Sequence, residues 1–276
     1  MNVTEFGMVE DGQKLPVIDD SNASDFVKVF DDDRNPFRSG FESSEVKTGF
    51  GSPFSRSIIP RKEWPDLIRH HEENKSSPDH HRIHAGVPVM NQANWGYCWM
   101  YGFGGAMNTA YAQMGIKGLR LNPFMPAWLG KGGRNVGGFG GEAKKYVNKW
   151  GMPEEAAWPE NVKNGSLVEN HEVELSAKMH DAIVVEELER NNFDALASCI
   201  LDPERPCPAT MGLAWWDHLV YGVKIVMISP GKFGIKFVNS WTIKYGKEGC
   251  GVLAESKATA FEQLAIVSVK PRVAVG

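Results

Sequence analysis

Hydrophobic and polar positions divide the 276-residue chain into three stretches of different texture. Over residues 1–57 polar clusters dominate, among them Asp19-Asp20-Ser21-Asn22 and Asp31-Asp32-Asp33-Arg34-Asn35-Pro36. Phe26, Val27, Val29 and Phe30 form one short apolar patch, and Phe37, Phe41, Phe50 and Phe54 are spaced beyond it. No 3.6-residue period is sustained, so this arm carries too little apolar surface to fold alone. Its composition reads as a flexible tail. The phenylalanines leave open an arm that docks on a partner. Residues 58–165 open on Ile58-Ile59-Pro60 and Trp64, pass through a polar insertion over 70–84 that reads as a solvated loop, and become mostly helical from 87 to about 160. After Cys98, the positions Tyr101, Phe103, Ala106, Met107, Ala110 and Tyr111 keep near-helical spacing. Residues 166–276 begin within an acidic connector over 161–200, with a helix predicted over 186–201. From Met211 the pattern turns strand-like, with strands predicted over 219–228, 234–238, 251–255 and 264–269 and a Pro230-Gly231-Lys232 turn after the first.

A net charge of −4 and a pI near 6.1 argue against a nucleic-acid or anionic-membrane surface. No apolar run reaches the length of a membrane span, and the N-terminus lacks a basic start and apolar core. The expected location is intracellular or inside a larger particle such as a virion. Four cysteines, Cys98, Cys199, Cys207 and Cys250, are few for a secreted fold, although Cys199 and Cys207 lie close enough in sequence to bridge locally. Five of the eight histidines fall in the insertion, at 70, 71, 80, 81 and 84. Imidazoles suit zinc, but no cysteine accompanies them, and the exposed-loop reading is preferred; no metal or cofactor is expected. The glycine-rich stretch 132–142 follows no strand and ends in no Gly-Lys-Ser/Thr, which disfavours a phosphate loop.

The chemistry concentrates around Gln92-Ala93-Asn94-Trp95-Gly96-Tyr97-Cys98-Trp99. A cysteine at a helix N-terminus meets free N–H groups and the helix dipole, both of which favour thiolate over thiol. Alone, such a cysteine is more often a small core residue. Two later stretches change that reading: Trp216-Asp217-His218 before one predicted strand, and Asn239-Ser240-Trp241 at the end of the next. The order Cys, His, Asn-Ser-Trp, with the histidine and asparagine roughly 120 and 140 positions after the cysteine, resembles the papain-like cysteine peptidases.

The resemblance implies an α+β, two-lobe fold with the active-site cleft between a helical N-terminal lobe and a β-rich C-terminal lobe. It implies Cys98 as nucleophile, His218 as general acid and base, Asn239 as the group orienting the imidazole, and Gln92 as an oxyanion donor. Gly137 and Gly138 resemble the cleft wall that pairs with a peptide backbone; Trp241 would cover the His–Asn bond, and Asp217 would serve beside the histidine. The implied substrate is a peptide or protein, and the family's inhibitory pro-segment gives residues 1–57 a third reading, disfavoured because that segment is a long helical unit. Several positions depart from the family pattern. Trp95 and Arg134 stand where a disulfide is usual, Tyr97 replaces a small residue, and Gly102, Gly104 and Gly105 weaken the central helix. Close packing against a neighbouring element would account for those glycines. The lost disulfide and the long arm also fit a different class, a structural or interaction component that keeps the fold with little activity. A transferase or isopeptidase using the same chemistry is a third option.

Overall fold

In this computed structural model the described residues are 9–10, 13–28 and 39–271. The arm supplies β1 (Val9–Glu10), β2 (Gln13–Lys14), β3 (Val17–Ile18), α1 (Ala23–Lys28) and β4 (Ser52–Pro53). Five helices follow: α2 (Trp64–Asn74), α3 (Pro78–His84), α4 (Cys98–Gln113), α5 (Phe124–Gly130) and α6 (Gly140–Trp150). Next come α7 (His171–Lys178), β5 (Ala182–Glu187) and α8 (Phe193–Leu201), then β6 (Ala209–Leu213), β7 (His218–Ser229), β8 (Lys232–Val238), β9 (Cys250–Ala254) and β10 (Glu262–Lys270).

Runs rich in Val, Ile and Phe pair in an eight-stranded sheet of order β3-β9-β8-β7-β6-β10-β5-β4. Its interior pairs are antiparallel, and β7 is the long central strand, paired with β6 and β8. Both outer strands come from the arm: β3 lies parallel to β9 and β4 parallel to β5. Covering the sheet edges in this way removes open rows of N–H and C=O groups. One core cluster joins α4, α5 and α6 to one side of the sheet. A second gathers Trp64, Ile68, α8 and the sheet's other side around Trp216, Phe237 and Trp241.

The strands predicted over 219–228, 234–238, 251–255 and 264–269 appear as β7, β8, β9 and β10. Two expectations change. Residues 70–84 do not form a loop; they complete α2 and form α3, which starts with Ser77 accepting from the His80 N–H at 3.3 Å and with Pro78 at the first turn. The polar residues that made this stretch look solvated are partly buried in ion pairs, with Asp79 receiving Arg82 at 2.9 Å and Lys236 at 2.7 Å. His71 is buried on Ser76 and the Leu201 carbonyl, and among the described residues no group of histidine, cysteine or acidic side chains is arranged to hold a metal. The helix predicted over 186–201 begins only at Phe193, where Asn192 caps it by accepting from the Ala195 N–H at 2.9 Å. Residues 182–187 before it are strand β5, held by β10. All four cysteines are free, so Cys199 and Cys207 are not bridged. Among the described residues no helix is long and apolar enough to cross a membrane.

The arm is packed on the body through Phe26, Phe41, Phe50 and Phe54. Phe30 and Phe37, the other two expected anchors, lie outside the described residues.

Candidate active site

Cys98 is the first residue of α4, and α4 lies directly on β7. The glycines that looked costly in a helix make that approach possible. A Cβ on Gly102 would sit 2.4 Å from the Leu219 side chain, and one on Gly105 would sit 2.3 Å from the Tyr221 ring. Gly104 faces Pro123 in the same way, at 2.9 Å. A helix without these side chains settles close onto the strand, and the seam brings its N-terminus beside the start of β7. The Cys98 thiol is then within hydrogen-bonding reach of the backbone N–H of Leu219, the residue after His218.

His218 opens β7 and is fully buried. Its Nε2 meets Asn239 Oδ1 at 2.8 Å, and its Nδ1 has no hydrogen-bond partner. Trp241 stacks on the ring at a centroid distance of 4.0 Å, and Trp216 meets it edge-on at 4.9 Å. The two indoles exclude water from the His–Asn bond, which strengthens it. Asn239 directly follows β8 and donates its backbone N–H to the Gly249 carbonyl, while Asn239 Oδ1 also accepts the Ser240 N–H at 2.7 Å. Asp217 holds the left-handed backbone at φ 48° that turns the chain into β7.

Gln92 is buried between the lobes. Its Oε1 accepts from Ser240 Oγ at 2.5 Å, its Nε2 donates to the Trp95 carbonyl at 2.6 Å, and its backbone N–H donates to the Ser240 carbonyl at 2.9 Å. Ser240, which the sequence reading left without a role, therefore fixes the carboxamide's orientation.

An extended piece of the arm crosses the site. The Gly40 and Phe41 N–H groups donate to the Asp217 carbonyl at 3.1 and 2.8 Å. On the opposite wall the Gly138 N–H donates to the Gly40 carbonyl at 2.9 Å, and the Gly138 carbonyl accepts the Glu42 N–H at 2.9 Å, a parallel bridge centred on Phe41. Gly40 packs so tightly on Gly96 that a Cβ would fall 2.1 Å from the Gly96 carbonyl oxygen. The Phe41 ring is 3% exposed and occupies the space of the missing side chain at Gly212, where a Cβ would lie 2.3 Å from it. A Cβ on Gly137 would likewise collide with Glu42. Gly137, Gly138 and Asp217, named from the sequence as substrate-side residues, thus all contact the arm; Gly40, Phe41 and Gly212 were not picked out for this place. Phe41 had been marked only as an anchor, and nothing local in the sequence says where an anchor lands.

Burial under this cover dominates the electrostatics. It pushes the Cys98 thiol up to about 12, against the opposing N–H groups of Leu219, Gly40 and Trp99. It lowers the His218 imidazole to about 3, although the Asn239 hydrogen bond acts in the other direction. At neutral pH both groups are uncharged in this conformation.

The helical lobe, the antiparallel sheet and the cleft between them constitute the papain-like α+β fold. No protein-family model and no curated protein matches the sequence. Among solved structures, xylellain, a cysteine protease from Xylella fastidiosa, is similar at TM-score 0.59 and 11% identity, covering 87% of this chain and 99% of that one. Procathepsin L 3 from Tenebrio molitor larval midgut is similar at TM-score 0.56 and 14% identity, covering 90% of this chain and 78% of that one. The ragweed pollen allergen Amb a 11, a cysteine protease in its proform, gives TM-score 0.56 and 14% identity, covering 86% and 77%. At such identities the likeness establishes the fold.

Proposed function

We propose that the chain is a cysteine peptidase held latent by residues 40–42. The observation that carries this reading is the placement of His218. Asn239 and Trp241 fix its ring, its Nδ1 is unpartnered, and its neighbour Leu219 reaches the thiol at the start of α4. Two of the similar structures are proforms, which agrees with an arm lying in the cleft.

With the arm displaced, water and a peptide enter, the desolvation that keeps both groups neutral is relieved, and the Cys98 proton moves to His218. A thiolate–imidazolium pair results, each charge favouring the other. The thiolate attacks the peptide carbonyl, forming a C–S bond, and the oxyanion receives the Cys98 backbone N–H and the Gln92 amide. His218 then protonates the leaving amine as the C–N bond breaks, which leaves a thioester. Water attacks the thioester and gives a proton to His218. The C–S bond breaks, the acid departs and the thiolate is restored. Gly138 and the Asp217 carbonyl would align the substrate backbone as they now align the arm.

The test is alkylation of Cys98 by an epoxysuccinyl or iodoacetamide probe near pH 7, before and after limited proteolysis of the arm. The expected result is slow labelling of the intact chain, rapid stoichiometric labelling after cleavage, and loss of the rapid phase in His218→Ala. Ordinary thiol reactivity after removal of the arm would instead favour the inactive-scaffold reading, which the neutral, covered Cys98 thiol suggests.

A further inference from the structure

Outside the cleft, Cys199 and Cys207 form a second thiol site that the peptidase chemistry does not use. Cys199 lies in the last turns of α8 and Cys207 just before β6. The Cys207 N–H donates to the Cys199 carbonyl at 3.1 Å, the Cys199 thiol donates to the Cys207 carbonyl at 3.8 Å, and the Cys207 thiol donates to the Arg205 carbonyl at 3.2 Å. Chain segments this close lie within the span a disulfide needs. The arm covers the pair. Arg56, its guanidinium nearly buried, donates from Nη2 to Cys207 Sγ at 2.9 Å. Its Nη1 reaches Asp202 at 3.0 Å and the Arg205 carbonyl at 2.7 Å, and its Nε lies 3.6 Å from Glu186.

We infer that Cys199 and Cys207 are a redox-active dithiol, oxidised by low-molecular-weight disulfides of the glutathione type, and that its reduced form pins the arm through Arg56. The contacts assign distinct roles. The Arg56 guanidinium lies directly on Cys207 Sγ and favours its thiolate, whereas the Cys199 thiol is fully buried and faces the Cys207 carbonyl. Cys207 is therefore the attacking sulfur and Cys199 the resolving one.

In the first step the Cys207 thiolate attacks one sulfur of the small disulfide; its S–S bond breaks, and one small thiolate leaves. In the second, Cys199 attacks Cys207 Sγ and expels the second small thiolate, and the Cys199 proton passes to the small thiolate released in the first step. The dithiol loses two electrons and the small disulfide gains them. The product disulfide carries no negative charge, so Arg56 loses its sulfur acceptor while remaining opposite Asp202 and Glu186. The segment around β4 is held less firmly as a result. This inference is independent of whether Cys98 is catalytic.

The experiment uses the full chain carrying Cys98→Ala and a series of reduced and oxidised glutathione ratios, with mass spectrometry and amide exchange as readouts. Cys199 and Cys207 share one tryptic peptide, because Arg205 is followed by proline. That peptide is expected to lose two hydrogens without retaining glutathione. Exchange at the Phe54 amide, which now donates to the Glu187 carbonyl at 3.0 Å, should accelerate about tenfold on oxidation. Cys199→Ser should stop at a glutathione adduct on Cys207. Arg56→Gln should give fast exchange in the reduced protein and abolish its dependence on the glutathione ratio. A native chain that stays reduced while its denatured form oxidises would overturn the inference. So would a persistent adduct in the chain with both cysteines, or Phe54 exchange that ignores the disulfide.

Discussion

Two interfaces meet at Cys98, and they are built in opposite ways. The seam between α4 and β7 depends on side chains that are absent: Gly102 and Gly105 let a fully buried helix lie against Leu219 and Tyr221. Nothing in that contact can retract without opening the core. The contact between the arm and the cleft depends on four backbone hydrogen bonds and one inserted ring, Phe41. Such a contact can dissolve and re-form while the core remains intact. The catalytic spacing is thus set by the permanent interface, and access to it by the removable one.

The sharpest way to separate the two is chemical. In arm-free protein Cys98→Ala is expected to abolish peptide hydrolysis, whereas Gln92→Ala should lower kcat by about 10²–10³ and leave activity measurable. Phe41→Ala should cost the arm contact about 3 kcal/mol or more, which raises Cys98 labelling of the intact chain by about 10² or more while the urea midpoint of the body holds. Gly105→Leu acts on the other interface. It should lower the unfolding free energy by about 1–3 kcal/mol, seen as a reduced urea midpoint, with no increase in labelling under native conditions.

Acid tests the cover itself. His218 is depressed from 6.5 to about 3, so the unfolded chain binds a proton that the closed form rejects. The stability of the closed form is therefore complete above about pH 6.5 and declines as pH falls toward 3. At pH 5 the loss is about 2 kcal/mol, read as a lower urea midpoint than at pH 7. Glu262 runs the other way. Its carboxylate spans the lobes by accepting the Gly140 and Gly141 N–H groups at 2.6 and 2.8 Å, yet burial pushes it up to about 7. Its contribution is full below about 4.5 and lost as pH rises through 7. Glu262→Gln should flatten that part of the stability–pH curve at a cost of about 1 kcal/mol for the poorer cap.

What could be read in the sequence was whatever local pattern or motif order records. Strands β7 to β10 announce themselves by alternation and apolar runs, and the Cys98, His218 and Asn239 constellation by its order. The three glycines of α4 were visible as an anomaly, and their partners Leu219 and Tyr221 only in three dimensions. Residues 70–84 differ from expectation because Asp79 pairs with both Arg82 and Lys236 in the interior, and a polar segment with distant partners looks the same as a solvated one. The arm was opaque for a related reason. Phe41 fills a space left by Gly212, far along the chain, and no periodicity encodes such a fit.

The arm's two attachments give the cleft a built-in competitor. On one side of residues 40–42, β3 is laced to β9; on the other, β4 is laced to β5 and Arg61 bridges Asp194 and Glu255. A strap anchored at both ends returns to its groove by an intramolecular step, at an effective concentration that short linkers place near millimolar. A dilute peptide arriving from solution is therefore outcompeted. Severing the strap at a single point removes that advantage: each half stays fastened to the sheet at its far end, but neither is held across the groove from both sides.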